Sequence, residues 1–93
     1  MDIQQEDTAS KGRFYYTIDG AEKAIMTYSH AGSDKIIIDH TQVDESLQGQ
    51  GIGYELVDAA VQYAREKELK IMPLCPFANS VFKKKPEYTD VKF

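Results

Sequence analysis

"DESLQGQGIGYELVDAA", residues 44–60, changes the period of the sequence and with it the fold. Gly49, Gly51 and Gly53 stand at alternate positions between an apolar run ending near Val43 and a helical pattern. Glycine there is unfavourable unless the backbone must take a positive φ or approach another group closely. Beyond it, Ile52, Leu56, Ala60, Tyr63 and Ala64 recur at helical spacing, joined by Val57 and Val61, while Glu55, Asp58, Gln62 and Arg65 lie opposite. This predicts a helix from about Gly51 to Lys67 with one apolar stripe.

Upstream the period is two. "RFYYTI", Arg13 to Ile18, is aromatic and β-branched and reads as a strand. Asp19-Gly20 is a strong hairpin signal, because both residues tolerate positive φ. "AEKAIMTYSH" reads as the return strand, and "KIIIDHTQV", after the turn "AGSD", as a third. Its start, Ile36 to Ile38, is apolar on both faces, as in a central strand. Strict alternation puts His40 and Gln42 on one face and Asp39, Thr41 and Val43 on the other. Downstream, "LKIMPL" fits a strand returning from the helix, parallel to the third by the crossover rule. "FANSVFKKK" reads as a short helix stopped by Pro86. Residues 1–12 carry no periodicity and are expected to be a mobile tail before one domain over 13–93. The order β-β-β-α-β-α gives an α+β domain with a mixed, mainly antiparallel sheet.

Ninety-three residues with 42% apolar content suit a single core. A net charge of −4 and a pI near 5.0 argue against a nucleic-acid partner, which needs a basic face. No apolar run reaches membrane-spanning length. One cysteine, Cys75, cannot form an internal disulfide and fits a reducing, cytoplasmic setting. No His/Cys/Asp spacing points to a metal.

The glycine stretch excludes two phosphate loops. A Walker loop needs Lys-Ser or Lys-Thr at its end, and a Rossmann fingerprint needs its third glycine where Tyr54 stands. A tight strand-to-helix turn would explain one glycine pair more simply than three. A glycine-rich turn opening a helix leaves several N–H groups free, with the positive end of the helix dipole behind them. A pyrophosphate could therefore rest on the backbone of Gln48, Gly49, Gln50, Gly51, Ile52 and Gly53, with the Gln48 amide as a further donor. Such an anion site needs no lysine.

Gln48-x-x-Gly51-x-Gly53, after a strand and opening a helix, resembles the acetyl-CoA pyrophosphate loop of the GNAT N-acetyltransferase superfamily. "HTQV" at 40–43, "GQGIG" at 49–53, "PLCPFA" at 73–78 and "PEY" at 86–88 are similar to its short stand-alone branch, the YjdJ-like proteins. The resemblance implies a truncated acetyltransferase fold using acetyl-CoA, with its pantetheine arm between two splayed strands and paired near Val43 and Asp44. The later strands that shape the acceptor pocket in longer members have no room here. Lys85 replaces the histidine usual before Pro-Glu-Tyr in this branch. Phe82 falls where many larger members carry a tyrosine acid.

Cys75, between Pro73 and Pro76, would by itself read as a small buried hydrophobe; the resemblance places it at the acetyl site, as acetyl acceptor or as proton donor to the leaving thiol. His40 is either a structural histidine or a base for an ammonium or a neighbouring thiol. His30 reads as a solvated turn residue. Glu55 and Asp58 read as the wet helix face, and Lys83, Lys84 and Lys85 as a solvated helix end that could instead meet a phosphate. The function implied is acetyl transfer from acetyl-CoA to a small or peptidyl amine, with Cys75 and His40 as catalytic candidates. The rival is a non-catalytic CoA or acyl-CoA-binding regulatory module.

Overall fold

A computed structural model of the chain describes residues 2–93. Five strands form one sheet in sequence order: β1 (Gln4–Asp7), β2 (Lys11–Ile18), β3 (Ala21–His30), β4 (Lys35–Val43) and β5 (Lys70–Pro73). Strands β1 to β4 are antiparallel neighbours, and β5 runs parallel to β4 from Lys35↔Lys70 to Ile38↔Pro73. Helix α1 (Ile52–Lys67) is the crossover, and α2 (Pro76–Lys84) follows β5. The α+β class, the mixed sheet and the parallel return strand are as the periodicities require.

The core lies on one face of the sheet. Phe14, Ala24, Met26, Tyr28, Ile36, Ile38 and Ile71 supply its floor. Leu56, Val57, Ala60, Val61 and Ala64 of α1 and Ala78, Val81 and Phe82 of α2 supply its roof. Phe82 is therefore a packing residue, edge-on to Tyr88 at 5.9 Å. The hairpin at Asp19-Gly20 has φ of 52° and 81°, and joins β2 directly to β3 without an intervening helix. The opposite face, with Tyr15, Ile25, Thr27, Ile37 and Met72, carries no helix.

Two expectations are corrected. Residues 4–7 of the supposed tail form β1, paired from Gln4↔Tyr15 to Asp7↔Gly12. All four residues of β1 are exposed, so no hydrophobic alternation marks it. Its anchor is polar. The buried Tyr28 hydroxyl donates to the Asp7 carboxylate, His30 Nε2 lies 3.0 Å from the same oxygen, and Tyr63 Oη lies 3.4 Å from it. His30 is thus a clamp residue rather than a free turn residue.

The second correction concerns strand parity. The register shifts between Thr27↔His40 and Tyr28↔Ile38, leaving Asp39 as the extra residue of a β-bulge. Asp39 consequently joins His40 on the helix-free face, where the Ser29 hydroxyl donates to its carboxylate at 2.8 Å. Thr41 and Val43, opposite Met26 and Ala24, face the core side as alternation within 40–43 requires.

Partial burial pushes the Asp7 carboxyl up, but hydrogen bonds from Tyr28 and His30, the His30 charge and the Tyr63 hydroxyl outweigh it and hold the group below its ordinary 3.8. The ionised form is the one the fold favours. Its contribution is full above pH 3.8 and is lost as the pH falls through the lower folded value. Asp7→Asn should cost about 1.5–2 kcal/mol at pH 7 by urea denaturation, the lower end of the scale for a hydrogen bond to a charged group, since the carboxylate is partly exposed. The gap from wild type should narrow progressively below pH 3.8. A gap independent of pH would show that charge plays no part in the clamp.

Candidate active site

Strands β4 and β5 part at one atom. The Ile38 carbonyl accepts from Leu74 N at 3.2 Å and from Cys75 N at 3.1 Å, and there β5 turns away. The rest of β4, Asp39 to Val43, continues past it. On the core side this opens a cleft of about 590 Å³, walled by Thr41 and Val43, by the loop from Leu47 to Gly53, and by Tyr54 and Phe77.

Each glycine of the loop has a physical cause. Gly49 and Gly51 have φ of 82° and 78° with nothing within 4 Å of an added Cβ, so only conformation selects them. Gly51 is the left-handed N-cap of α1 and offers no capping side chain. Gly53 is different: a Cβ there would lie 2.5 Å from Phe77 Cζ, so its absence keeps the cleft wall in place. Among the described residues, no backbone or side-chain acceptor engages the N–H groups of Gly49, Gly51, Ile52, Gly53 or Tyr54. Five donors at a helix start, beside a cleft, form a surface for an anion.

Six of the eight residues assigned to cofactor binding line this cleft: Val43, Gln48, Gly49, Gly51, Ile52 and Gly53. Gln48 Nε2 lies 3.4 Å from the Val43 carbonyl at its entrance. The other two serve the loop itself. Asp44 caps the short 3₁₀ turn Glu45–Leu47 by accepting from Ser46 N at 3.0 Å, while its own N–H donates to Lys23 O at 2.7 Å. Gln50 N donates to Leu47 O at 3.3 Å and its side-chain amide to Ser46 O at 3.3 Å. These backbone donors are spent inside the turn.

Cys75 is the N-cap of α2, with Pro76 at the first helical position, and only 5% of its surface is exposed. Its Sγ lies 3.4 Å from Oγ1 of Thr41, a residue of the cleft wall, although Cys75 itself does not line the cleft. Burial pushes the thiol up. Hydrogen bonding from Thr41 and from the Ala78 and Phe77 N–H groups more than offsets it, and the thiol ends below its ordinary value. A thiol at a helix start is both a better acid and a better nucleophile than a free one. The expected pairing of His40 with Cys75 does not form. His40 is exposed and opposite Thr27 on the helix-free face, whereas Cys75 meets Thr41 on the core side. Thr41 and Phe77 were not singled out from the sequence, although alternation had already set Thr41 apart from His40. Of the lysines at the end of α2, Lys85 turns toward the site, its Nζ 5.8 Å from the centre of the Tyr54 ring.

A parallel strand pair that splays at the mouth of a glycine-capped helix, with three further strands folded beside it, is the arrangement expected of an acetyltransferase fold. The chain belongs to the GCN5-related N-acetyl-transferase family, whose sequence model matches residues 13–91. A GCN5-like protein of Staphylococcus aureus, solved by NMR, is 36% identical and superposes with a TM-score of 0.78 over 99% of this chain and 87% of its own. Protein NATD1 of Xenopus tropicalis is 26% identical over 85 residues, spanning 90% of this chain and 78% of the relative. A Bacillus anthracis structure in complex with acetyl coenzyme A shares the fold at 18% identity, with a TM-score of 0.65 over 85% of this chain and 47% of its own.

Two measurements check the geometry. Gly51→Ala meets no steric obstacle, so it should cost only the positive-φ penalty, about 1 kcal/mol by urea denaturation. The alkylation rate of Cys75 by iodoacetamide should have its pH midpoint below that of the unfolded chain, and Thr41→Val should move the midpoint upward. An unmoved midpoint would remove Thr41 from the thiol's environment.

Proposed function

We propose that the protein transfers an acetyl group from acetyl-CoA to an amine, with the cofactor's pyrophosphate on the N–H groups of Gly49 and Gly51 to Tyr54. The observation that carries the reading is the coincidence of those five free donors with the cleft at the β4–β5 splay. The family supports acetyl transfer in general, and the fold shared with an acetyl-CoA complex supports that cosubstrate. The cleft's fit is physical. Its floor has no side chain at Gly49, Gly51 or Gly53, and its walls at Val43, Ile52 and Phe77 are apolar, suited to a pantetheine chain.

The proposed reaction divides between the two sides of the sheet. On the helix-free side, His40 takes a proton from the incoming ammonium and passes it to solvent. The freed nitrogen attacks the thioester carbonyl and a C–N bond forms. The C–S bond then breaks, and Cys75 gives its proton to the departing CoA sulfur. The second amine proton leaves to water, which reprotonates Cys75. The net products are the acetamide, CoA thiol and one proton. The thiol's depressed pKa suits it as this acid, since free CoA should titrate near the cysteine reference of roughly 8.5.

Calorimetry with CoA and turnover of acetyl-CoA against a panel of amines test the reading. Gly53→Val should weaken CoA binding about ten-fold or more by displacing Phe77. Cys75→Ala and His40→Ala should retain CoA affinity and lose about a hundred-fold in turnover. The loss in His40→Ala should be greatest below pH 8, where the amine is most protonated. Tight CoA binding with no turnover on any amine would replace the enzyme with a CoA-binding module. No CoA binding would remove both.

A further inference from the structure

The helix-free face of the sheet has a composition of its own. Leu74 and Phe93 are the exposed large hydrophobic side chains among the described residues, at 62% and 59%. Both border this face. Pro73 pairs with inward-facing Ile38 and Cys75 turns to Thr41, so Leu74 between them points the other way. Phe93 lies under Lys35 Nζ at 4.8 Å, at the far end of the same rows. Between them, half-buried Ile37 and Met72 sit side by side in register. The strip therefore runs along β4 and β5 from the row of Lys35 to that of Asp39, four residues apart, or about 13 Å at ~3.3 Å per residue.

The strip ends at charge. The bulge turns two consecutive residues, Asp39 and His40, onto this face at the height where β4 and β5 part. The Asp39 carboxylate is exposed and held by Ser29, and among the described residues no cation pairs with it. Beside it a groove of about 480 Å³ crosses β3 and β2 past Thr27 and Arg13, whose guanidinium is already occupied by Glu6 and Glu22. The side of the sheet reached by the gap thus offers an apolar track leading to a free carboxylate.

We propose that the acceptor is a polypeptide, docked extended along this face, with apolar side chains on Leu74, Met72 and Ile37 and its amine paired with Asp39 beside His40. This rests on the acetyl-transfer reading and adds the substrate class and its seat. A track about four extended residues long exceeds what a small diamine can cover, and a cation is the charge that Asp39 lacks. In this arrangement Asp39 is a binding group for the ammonium, and His40 next to it in sequence receives the proton.

The test uses two probes. One is a nine-residue peptide with a central Lys flanked by Leu and Val, blocked at both ends; the other has the same apolar residues, a free N-terminus and Arg for Lys. Cadaverine is the small-amine control. Without acetyl-CoA, titration of ¹⁵N-labelled protein with either peptide should shift the amides of Ile37, Asp39, Met72 and Leu74, and leave Gly49 to Tyr54 unmoved. With acetyl-CoA, kcat/KM for the accepted peptide should exceed that for cadaverine about ten-fold, and the peptide used tells a side-chain amine from a terminal one. Leu74→Asp, at a solvent-exposed position, should reduce peptide kcat/KM about ten-fold with CoA affinity unchanged, as expected for one buried leucine contact. Asp39→Asn should raise the peptide KM more than it lowers kcat. Peptide shifts on this face without turnover would keep the docking site and remove the enzyme. Equal rates for cadaverine and peptides, absent shifts, or a face occupied by a second copy in sedimentation would overturn the proposal.

Discussion

The Ile38 carbonyl is the hinge point of the molecule. A parallel strand pair needs a regular ladder, and this one ends where a single oxygen receives two consecutive N–H groups, Leu74 and Cys75. Past it, β5 becomes the cap of α2 and β4 runs on alone to the glycine turn. The cleft, the placement of Cys75 at a helix start and the exposure of Leu74 all follow from that divergence. Pro73 and Pro76 enforce it, the first lacking a ladder donor and the second starting a helix with preset φ.

The bulge at Asp39 is the second constraint, and it sorts the chemistry by face. Before it, Ile36 and Ile38 point to the core; after it, Thr41 and Val43 do. The residue gained is the one that lets Asp39 and His40 share the open face while Thr41 meets the thiol beneath. In the proposed reaction this separates the group that receives the ammonium proton from the group that supplies the thiolate's proton. The direct β2–β3 hairpin has a parallel consequence, since it leaves the face proposed for the acceptor without helix cover.

Much of this was legible in the residues. Helix α1 was readable to within a residue because its apolar stripe is continuous, and β2 to β5 because their apolar residues alternate or cluster and their turns carry Gly, Asp and Pro. The glycine turn was readable as a strand-to-helix turn with special backbone needs, and the structure gives them: positive φ at Gly49 and Gly51 and a close approach of Phe77 at Gly53. What failed, failed for reasons of pattern. Strand β1, Gln-Gln-Glu-Asp, packs no side chain into the core, so nothing in its hydropathy could announce it; it is held by its ladder to β2 and by the contacts of Tyr28, His30 and Tyr63 with Asp7. The bulge breaks alternation inside one continuous strand, and a parity count cannot see an inserted residue. That single miss grouped Asp39 with Thr41 and Val43 instead of with His40. The partnership of His40 with Cys75 failed because His40 takes the helix-free face while Cys75 meets Thr41 on the core side. Asp44 and Gln50 were assigned by position in the loop, where the turn's own hydrogen bonds claim them.

The central claim is that the free amides at the start of α1 receive the cofactor's pyrophosphate while its acyl arm lies in the β4–β5 gap. Backbone amide shifts of the ¹⁵N-labelled protein, followed through a titration with CoA, read both ends of that claim at once. The account predicts large saturating shifts at Gly49 and Gly51 to Tyr54, with a second group at Thr41 to Val43 and Cys75 to Ala78, and little change at β1 or in Tyr63. Shifts that leave Gly51 to Tyr54 unmoved, or that cluster on the opposite sheet face around Ile37 and Met72, would contradict it.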